Sequence, residues 1–263
     1  MRQVLWLAAG VLALAACSEP KPQTAEKATP PTSSTPATTF DTTAIRVLTA
    51  AQLPAGLARP AGNLVEAREW TDANGLNLLL VTRTAEQDEP PGPDEADDAR
   101  HVELYARQYV RRQGKYELLW KLQDNVSHCP FDLTLDLLPG STTVTDLDGD
   151  GQTETTLLYL QTCTSDVSPL GLKLIMHEGA AKYALRGNNV VQYDSVPRSQ
   201  RRPATICCLD TVNDKRVEAT GDYGIYAGRY ENEKEFRTAP PAFLAFAQRQ
   251  WRRWSVRPDT ETD

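Results

Sequence analysis

Between Glu66 and Gly187 the chain falls into nine short stretches in which apolar residues alternate with polar ones or run together, bounded by Gly, Asn, Asp and Pro. They are EAREWT (Glu66–Thr71), NLLLVTRT (Asn77–Thr84), HVELYARQYV (His101–Val110), KYELLWKL (Lys115–Leu122), FDLTLDL (Phe131–Leu137), TTVTD (Thr142–Asp146), TTLLYLQT (Thr155–Thr162), LKLIMH (Leu172–His177) and KYALRG (Lys182–Gly187). Segments of this length and patterning predict β-strands. Alternation is cleanest in FDLTLDL, where Phe131, Leu133, Leu135 and Leu137 share a face. The short turns RQGK (Arg112–Lys115) and HEGA (His177–Ala180) suit hairpins.

The strands repeat in order. One half runs WTDANG, LNLLLVT, ELYARQYV, a Gly-containing turn and KYELLW; the other runs VTDLDGDG, ETTLLYLQT, LKLIMH, a Gly-containing turn and KYALRG. Each half reads as strand, TD-loop, strand, connection, strand, turn and KY-strand, a degenerate duplication of a four-stranded antiparallel meander. Thr71–Gly75 is then the short, metal-free cousin of the loop at Asp146–Glu154. The expected class is mainly β, with antiparallel sheets from two such units arranged as a sandwich or a continuous twisted sheet. One helix is expected near the end, PPAFLAFAQRQWRRW (Pro240–Trp254), with Thr238 as its cap and two prolines in the first turn. Phe243, Ala247, Trp251 and Trp254 form a stripe that packs on a sheet; Trp and Arg at such a stripe would also suit a membrane surface.

The ends read differently. Arg2 precedes the apolar stretch VLWLAAGVLALAA (Val4–Ala16), too short to span a membrane and of signal-peptide length. It ends in LAAC (Leu14–Cys17), which matches the bacterial lipobox and makes Cys17 the lipidated residue. Ser18 resembles the residue that passes lipoproteins to the outer membrane, and Glu19 the acidic tags of surface export. The expected organisation is a signal peptide at 1–16, a Pro/Thr/Ser-rich disordered tether at 17–43, one β-rich domain at 44–258 and an acidic tail at 259–263. DEPPGPDEADDA (Asp88–Ala99) reads as an exposed loop within the domain. A net charge of −7 argues against nucleic acid as a partner; the basic RSQRR (Arg198–Arg202) and RRW (Arg252–Trp254) read as solvated charges.

The segment TDLDGDGQTE (Thr145–Glu154) carries the clearest chemistry. Counting from Asp146, carboxylates fall at loop positions 1, 3, 5 and 9 (Asp146, Asp148, Asp150, Glu154), with Gly151 at position 6 for a sharp turn. Alternate residues of a tight loop turn oxygens inward, and calcium accepts six to eight of them in flexible geometry. Gln152 would add its backbone carbonyl. Position 12, which in an EF-hand is a bidentate Glu, is Leu157. The loop instead resembles the nine-residue calcium hairpins of FG-GAP and integrin-type repeats, which implies a structural Ca²⁺ between two strands.

Four cysteines other than Cys17 remain, Cys129, Cys163, Cys207 and Cys208, and they allow three disulfide connectivities. A Cys129–Cys163 bond would close a 34-residue separation. It conflicts with a simple meander of Phe131–Leu137, Thr142–Asp146 and Thr155–Thr162, which would put the two at opposite ends. A Cys207–Cys208 bond would be a strained vicinal bridge, and cross-pairings stay open. No GxSxG, HExxH, P-loop or GxGxxG occurs, and His101, His128 and His177 are widely separated. His177–Glu178 reads as a solvated turn pair; Asp124, His128 and Asp132 flank Cys129.

The stretch Trp120–Gly187, through its CPFDLTL, DLDxDGxxETT, C-x-SDVSP, LKLIMHEG and KYAxRG segments, resembles a group of bacterial lipoproteins known as surface polysaccharide biosynthesis proteins; WTDxNGxNLLLxT before it resembles them more loosely. The resemblance places Cys129 and Cys163 in the family pattern and so implies their bridge. It implies a part in surface-polysaccharide biosynthesis that an enzyme, a scaffold or an exporter component would fit equally. The absence of a catalytic motif favours an envelope accessory or binding protein, with surface glycan or envelope assembly proteins as partners. The lipobox with Ser18 places it in the outer membrane, on the periplasmic or cell-surface face. The resemblance carries no catalytic residues over. An enzyme acting on envelope glycan, a hydrolase or transferase, is the alternative. Trp70, Trp120 and Tyr105 are the aromatic residues that a glycan platform would expose, and the core residues that it would otherwise bury.

Overall fold

The computed structural model describes residues 40–90, 99–166, 168–191 and 203–256. The signal-like stretch with Cys17, nearly all of the tether, the centre of DEPPGPDEADDA, RSQRR and the acidic tail lie outside the described residues.

Among the described residues, eleven strands form two antiparallel sheets. In chain order they are β1 (Arg46–Val47), β2 (Asn63–Asp72), β3 (Gly75–Arg83), β4 (Gln87–Glu89), β5 (Ala99–Arg112), β6 (Lys115–Cys129), β7 (Asp132–Leu137), β8 (Thr143–Thr145), β9 (Glu154–Thr164), β10 (Gly171–Glu178) and β11 (Ala181–Asn188). The first sheet is a meander of β2, β3, β5 and β6, with β1 on the free edge of β2 and β4 pairing with the first residues of β5. The second runs β11, β10, β9 and then β7 and β8. All nine expected strands are present, and the two halves repeat their topology: β2-β3-β5-β6 matches β8-β9-β10-β11. Among the described residues the α-helices are α1 (Asp214–Thr220), which the sequence reading missed, and α2 (Pro241–Trp254).

The second sheet departs from a simple meander at one place. Strands β7 and β8 lie end to end along one edge of β9, with Leu137 opposite Tyr159 and Thr143 opposite Thr156. Between them the chain turns through Gly140, at φ 77°, with Ser141 N donating to Leu138 O at 3.0 Å. They are one edge strand interrupted by a turn, not successive meander strands. That removes the objection to the disulfide: Leu133 pairs with Cys163, and Cys129 is bonded to Cys163 across a Cα separation of 5.6 Å. The bond ties the end of β6, in the first sheet, to β9 in the second. Cys207 and Cys208 are bonded to each other.

The sheets pack face to face over a core that includes Leu79, Val81, Leu104 and Trp120 from the first and Leu135, Leu157, Tyr159 and Ile175 from the second. Phe40 and Ile45 pack against this core too. The outer face of the first sheet, Leu78, Leu80 and Tyr109, is covered by Leu48 and Leu53. The outer face of the second, Leu158, Leu174 and Leu185, is covered by α2. This layering explains why LNLLLVT and TTLLYLQT are continuously apolar: β3 and β9 are covered on both faces.

Helix α2 buries Phe243, Phe246, Ala247, Trp251 and Trp254 against the second sheet, the stripe expected for a core helix rather than a membrane-surface one. Its cap differs from expectation. The N-cap residue is Pro240, with no side-chain cap bond, and Thr238 lies before the helix; Pro241 at the first helical position, which needs no backbone donor, sets the start. Arg252 and Arg253 are exposed in the last turn, where cations complement the helix dipole.

Candidate metal centre

The acidic loop joins β8 to β9. Its shape rests on its own carboxylates: Asp146 accepts from the Gly149 N–H at 2.8 Å and the Gly151 N–H at 3.2 Å. Gly149 and Gly151 sit at φ 77° and 86°, where a side chain would be strained. Asp150 accepts from the Gln152 backbone at 2.7 Å and from its side-chain amide at 3.0 Å.

The loop closes on the short TD-loop of the other half. Ala73 N–H donates to Gly151 O at 2.8 Å, and Asp72 accepts from the backbone and hydroxyl of Thr153 at 3.1 and 2.7 Å. Trp70 Nε1 donates to the same Thr153 hydroxyl at 2.8 Å, and Asn74 donates to the Gln152 side chain at 3.2 Å. The two repeat-related loops therefore clasp each other and join the sheets at one end. Nearby, the buried Gln108 accepts from Trp120 Nε1 and the Thr155 hydroxyl, both at 2.8 Å, and donates to Asn77 at 2.9 Å, a second polar tie across the interface.

Two overlapping sets of carboxylates gather here. Asp146, Asp148 and Glu154 form one, and Asp148, Asp150 and Glu178 the other; within each, one oxygen per residue lies within 4.8 Å of the rest. Ligands on opposite sides of a calcium-sized ion stand about 4.6–5.2 Å apart, so the spacing fits. These groups can hold a metal ion. The sequence reading placed Asp146, Asp148, Asp150 and Glu154 around one centre; the structure moves Asp150 to the neighbouring set, shared through Asp148. The side chain of Gln152 is engaged by Asn74 and Asp150.

Glu178 was missed, having been read as a solvated turn residue. It lies 24 positions beyond Glu154, and only the register of β10 against β9 sets it opposite that residue. One of its carboxylate oxygens is buried without a hydrogen-bond partner, and its pKa is raised, first by burial and then by the charges of Asp148, Asp150 and Asp146. Glu154 is fully buried, and burial pushes its carboxyl up to about 7 against the opposing bonds from the Thr145 hydroxyl and Leu147 N–H. A cation would offset both costs.

The three histidines do not converge on one site. His101 and His128 lie near Glu89, with Nδ1–carboxylate distances of 3.4 and 3.6 Å. His177 is buried and stacked on Trp120, ring centroids 4.1 Å apart, with Nδ1 3.0 Å from Ala181 O. Burial lowers its pKa to about 4, below the usual histidine value of 6.5. The unfolded chain takes up this proton before the folded one does. Stability from neutral His177 is thus complete above pH 6.5 and is lost as pH falls toward 4, by about 3 kcal/mol in all. His177→Phe keeps an aromatic ring on Trp120; its melting temperature should fall less than wild type between pH 7 and 4.5, and parallel profiles would refute this source.

Trp70 and Trp120 are core, and Tyr105 is half-buried with its hydroxyl on Glu103 at 2.7 Å. Among the described residues, no helix is long and apolar enough to cross a membrane. No protein-family model, curated protein or solved structure matches the chain.

Proposed function

We propose that this protein is a lipid-anchored accessory or binding protein of the cell envelope, serving surface polysaccharide biosynthesis, with calcium as a structural ion at the Asp146–Glu154 loop. The observation that carries the structural role of the ion is the clasp: the acidic loop is bonded through Gly151 and Thr153 to Ala73 and Asp72 of the other sheet. An ion there stiffens the joint between the sheets. The all-oxygen donor set suits calcium, and sites outside the cytoplasm commonly bind it at about 10⁻⁴–10⁻³ M. The link to polysaccharide comes from the resemblance over Trp120–Gly187, and the envelope address from the lipobox at Cys17. Asp124, in the cleft between the sheets, is held by the Lys173 ammonium and the Tyr159 hydroxyl, which supports a part in shaping that site over proton transfer.

Deletion of the gene in its host should reduce cell-surface polysaccharide. Wild type should restore it, and Cys17→Ser should not. Unchanged polysaccharide in the deletion strain would overturn the assignment, and turnover of envelope glycan by the purified chain would favour the enzyme alternative.

A further inference from the structure

Strand β6 is the edge of the first sheet, and it leaves part of the second sheet's inner face uncovered. Along β10 the inward positions are Lys173, Ile175 and His177, and along β11 they are Lys182, Ala184 and Arg186; the register sets Lys173 opposite Arg186 and His177 opposite Lys182. The intervening residues, Leu174, Met176, Tyr183 and Leu185, pack toward α2. The inner face therefore changes from apolar to cationic where β6 ends its cover. There a cleft of about 230 Å³ opens, with Lys121 of β6 the fourth cation of a lining that also holds Asp124.

Lys173 and Arg186 are like charges set opposite each other, which is unfavourable in a sheet without counter-charges. Two of the four have them: Lys173 is paired with Asp124, and Arg186 with Glu235. Among the described residues, neither Lys121 nor Lys182 has a carboxylate within 4.0 Å. The cleft thus keeps two uncompensated positive charges in a protein of net charge −7. His177 lines it as well. Its Nδ1 lies against a carbonyl, so in the neutral ring Nδ1 carries the proton and the buried, unpartnered Nε2 is an acceptor.

We propose that this cleft, where Lys121, Lys173, Lys182 and Arg186 converge between the edge of β6 and the open face of β10–β11, binds a small oxyanion carried on a hydroxyl-bearing group of about one sugar residue. The carboxylate of a sugar acid and the phosphoryl group of a sugar phosphate share this chemistry. The cations take the oxyanion, and the exposed Gln123 in the same lining, whose amide nitrogen is held by Glu103, offers its carbonyl oxygen to a neighbouring hydroxyl. The volume lies below the roughly 300–1,000 Å³ of pockets for drug-sized ligands, so the part of the occupant held inside is about one unit. The proposal rests neither on the metal assignment nor on the link to polysaccharide.

Calorimetric titration of the full chain, in a non-ionic detergent, with glucuronate, glucose 6-phosphate, inorganic phosphate and glucose tests it. The two sugar anions should bind and glucose should not; the stronger sugar anion identifies which oxyanion source fits, and inorganic phosphate measures the share carried by the oxyanion alone. Affinity should fall with added salt. Lys121 and Lys182 are exposed, so Lys121→Ala with Lys182→Ala should leave melting unchanged and weaken sugar-anion binding about tenfold. Lack of sugar-anion binding at 10 mM, equal binding of glucose, or undiminished binding by the double variant would overturn the proposal.

Discussion

Trp251→Ala should lower the stability of this protein by about 3–5 kcal/mol, the range for truncating a large buried aromatic side chain. Trp251 is fully buried, and its Nε1 donates to Gly228 O at 2.9 Å. Its ring meets Tyr230 edge-on at a centroid distance of 5.4 Å and belongs to the cluster that holds α2 to the outer face of the second sheet. Removal leaves a cavity and an unpaired carbonyl together, and at about 2–4 °C per kcal/mol the melting temperature should fall by roughly 10 °C. Trp251→Phe keeps most ring contacts and loses the donor, so it should cost less than half as much. A wild-type melting temperature in Trp251→Ala would show that α2 is not part of the cooperative fold.

Loss of the Cys129–Cys163 bond ranks beside it. The bridge spans a sequence separation of 34, for which loop closure in the unfolded chain gives about 3–4 kcal/mol. It also joins β6 to β9, so its loss frees the two sheets from each other at that end. Cys129→Ser with Cys163→Ser, or reductant added to wild type, should lower the melting temperature by a similar amount. Either single variant should match the double. Melting indifferent to reductant and to both substitutions would refute a stabilising bridge.

These two contacts differ in how far the sequence revealed them. The stripe of Phe243, Ala247, Trp251 and Trp254 has helical spacing, and a local period carries its meaning without knowledge of what covers it. The cysteine pair could not be read in that way. Phe131–Leu137 and Thr142–Asp146 are each strand-like, but periodicity does not say that they lie end to end on one neighbour. That arrangement depends on the turn at Leu138–Thr142, where Ser141 folds back to Leu138. The acidic loop was legible as a candidate metal site through its spacing of carboxylates and glycines, and so was the echo of TDANG and TDLDGDG. Their clasp was not, because Ala73–Gly151 and Asp72–Thr153 are contacts between sheets. Glu178 was hidden for the same reason: its place beside Glu154 comes from strand register. Helix α1 was missed because its seven residues bury only Val217 and show no apolar period.

The pH behaviour of Glu154, in the candidate metal centre, runs opposite to that of His177. Raised to about 7 by burial, the carboxyl of Glu154 favours the fold while protonated and costs stability as pH rises from about 4.5 through 7 without a cation. A bound cation favours the ionised form, so its stabilising effect should be larger at pH 7.5 than at pH 5.

The most direct test of the central claim, that the acidic loop binds calcium and braces the joint between the sheets, is thermal melting of the full chain at pH 7.5 across a calcium titration. Asp148→Ala, which strikes both carboxylate sets, is the control. Saturating calcium, at about ten to a hundred times the dissociation constant, should stabilise wild type by about 1–3 kcal/mol and leave the variant unmoved. A melting temperature unchanged at 10 mM calcium, or raised equally in Asp148→Ala, would contradict it.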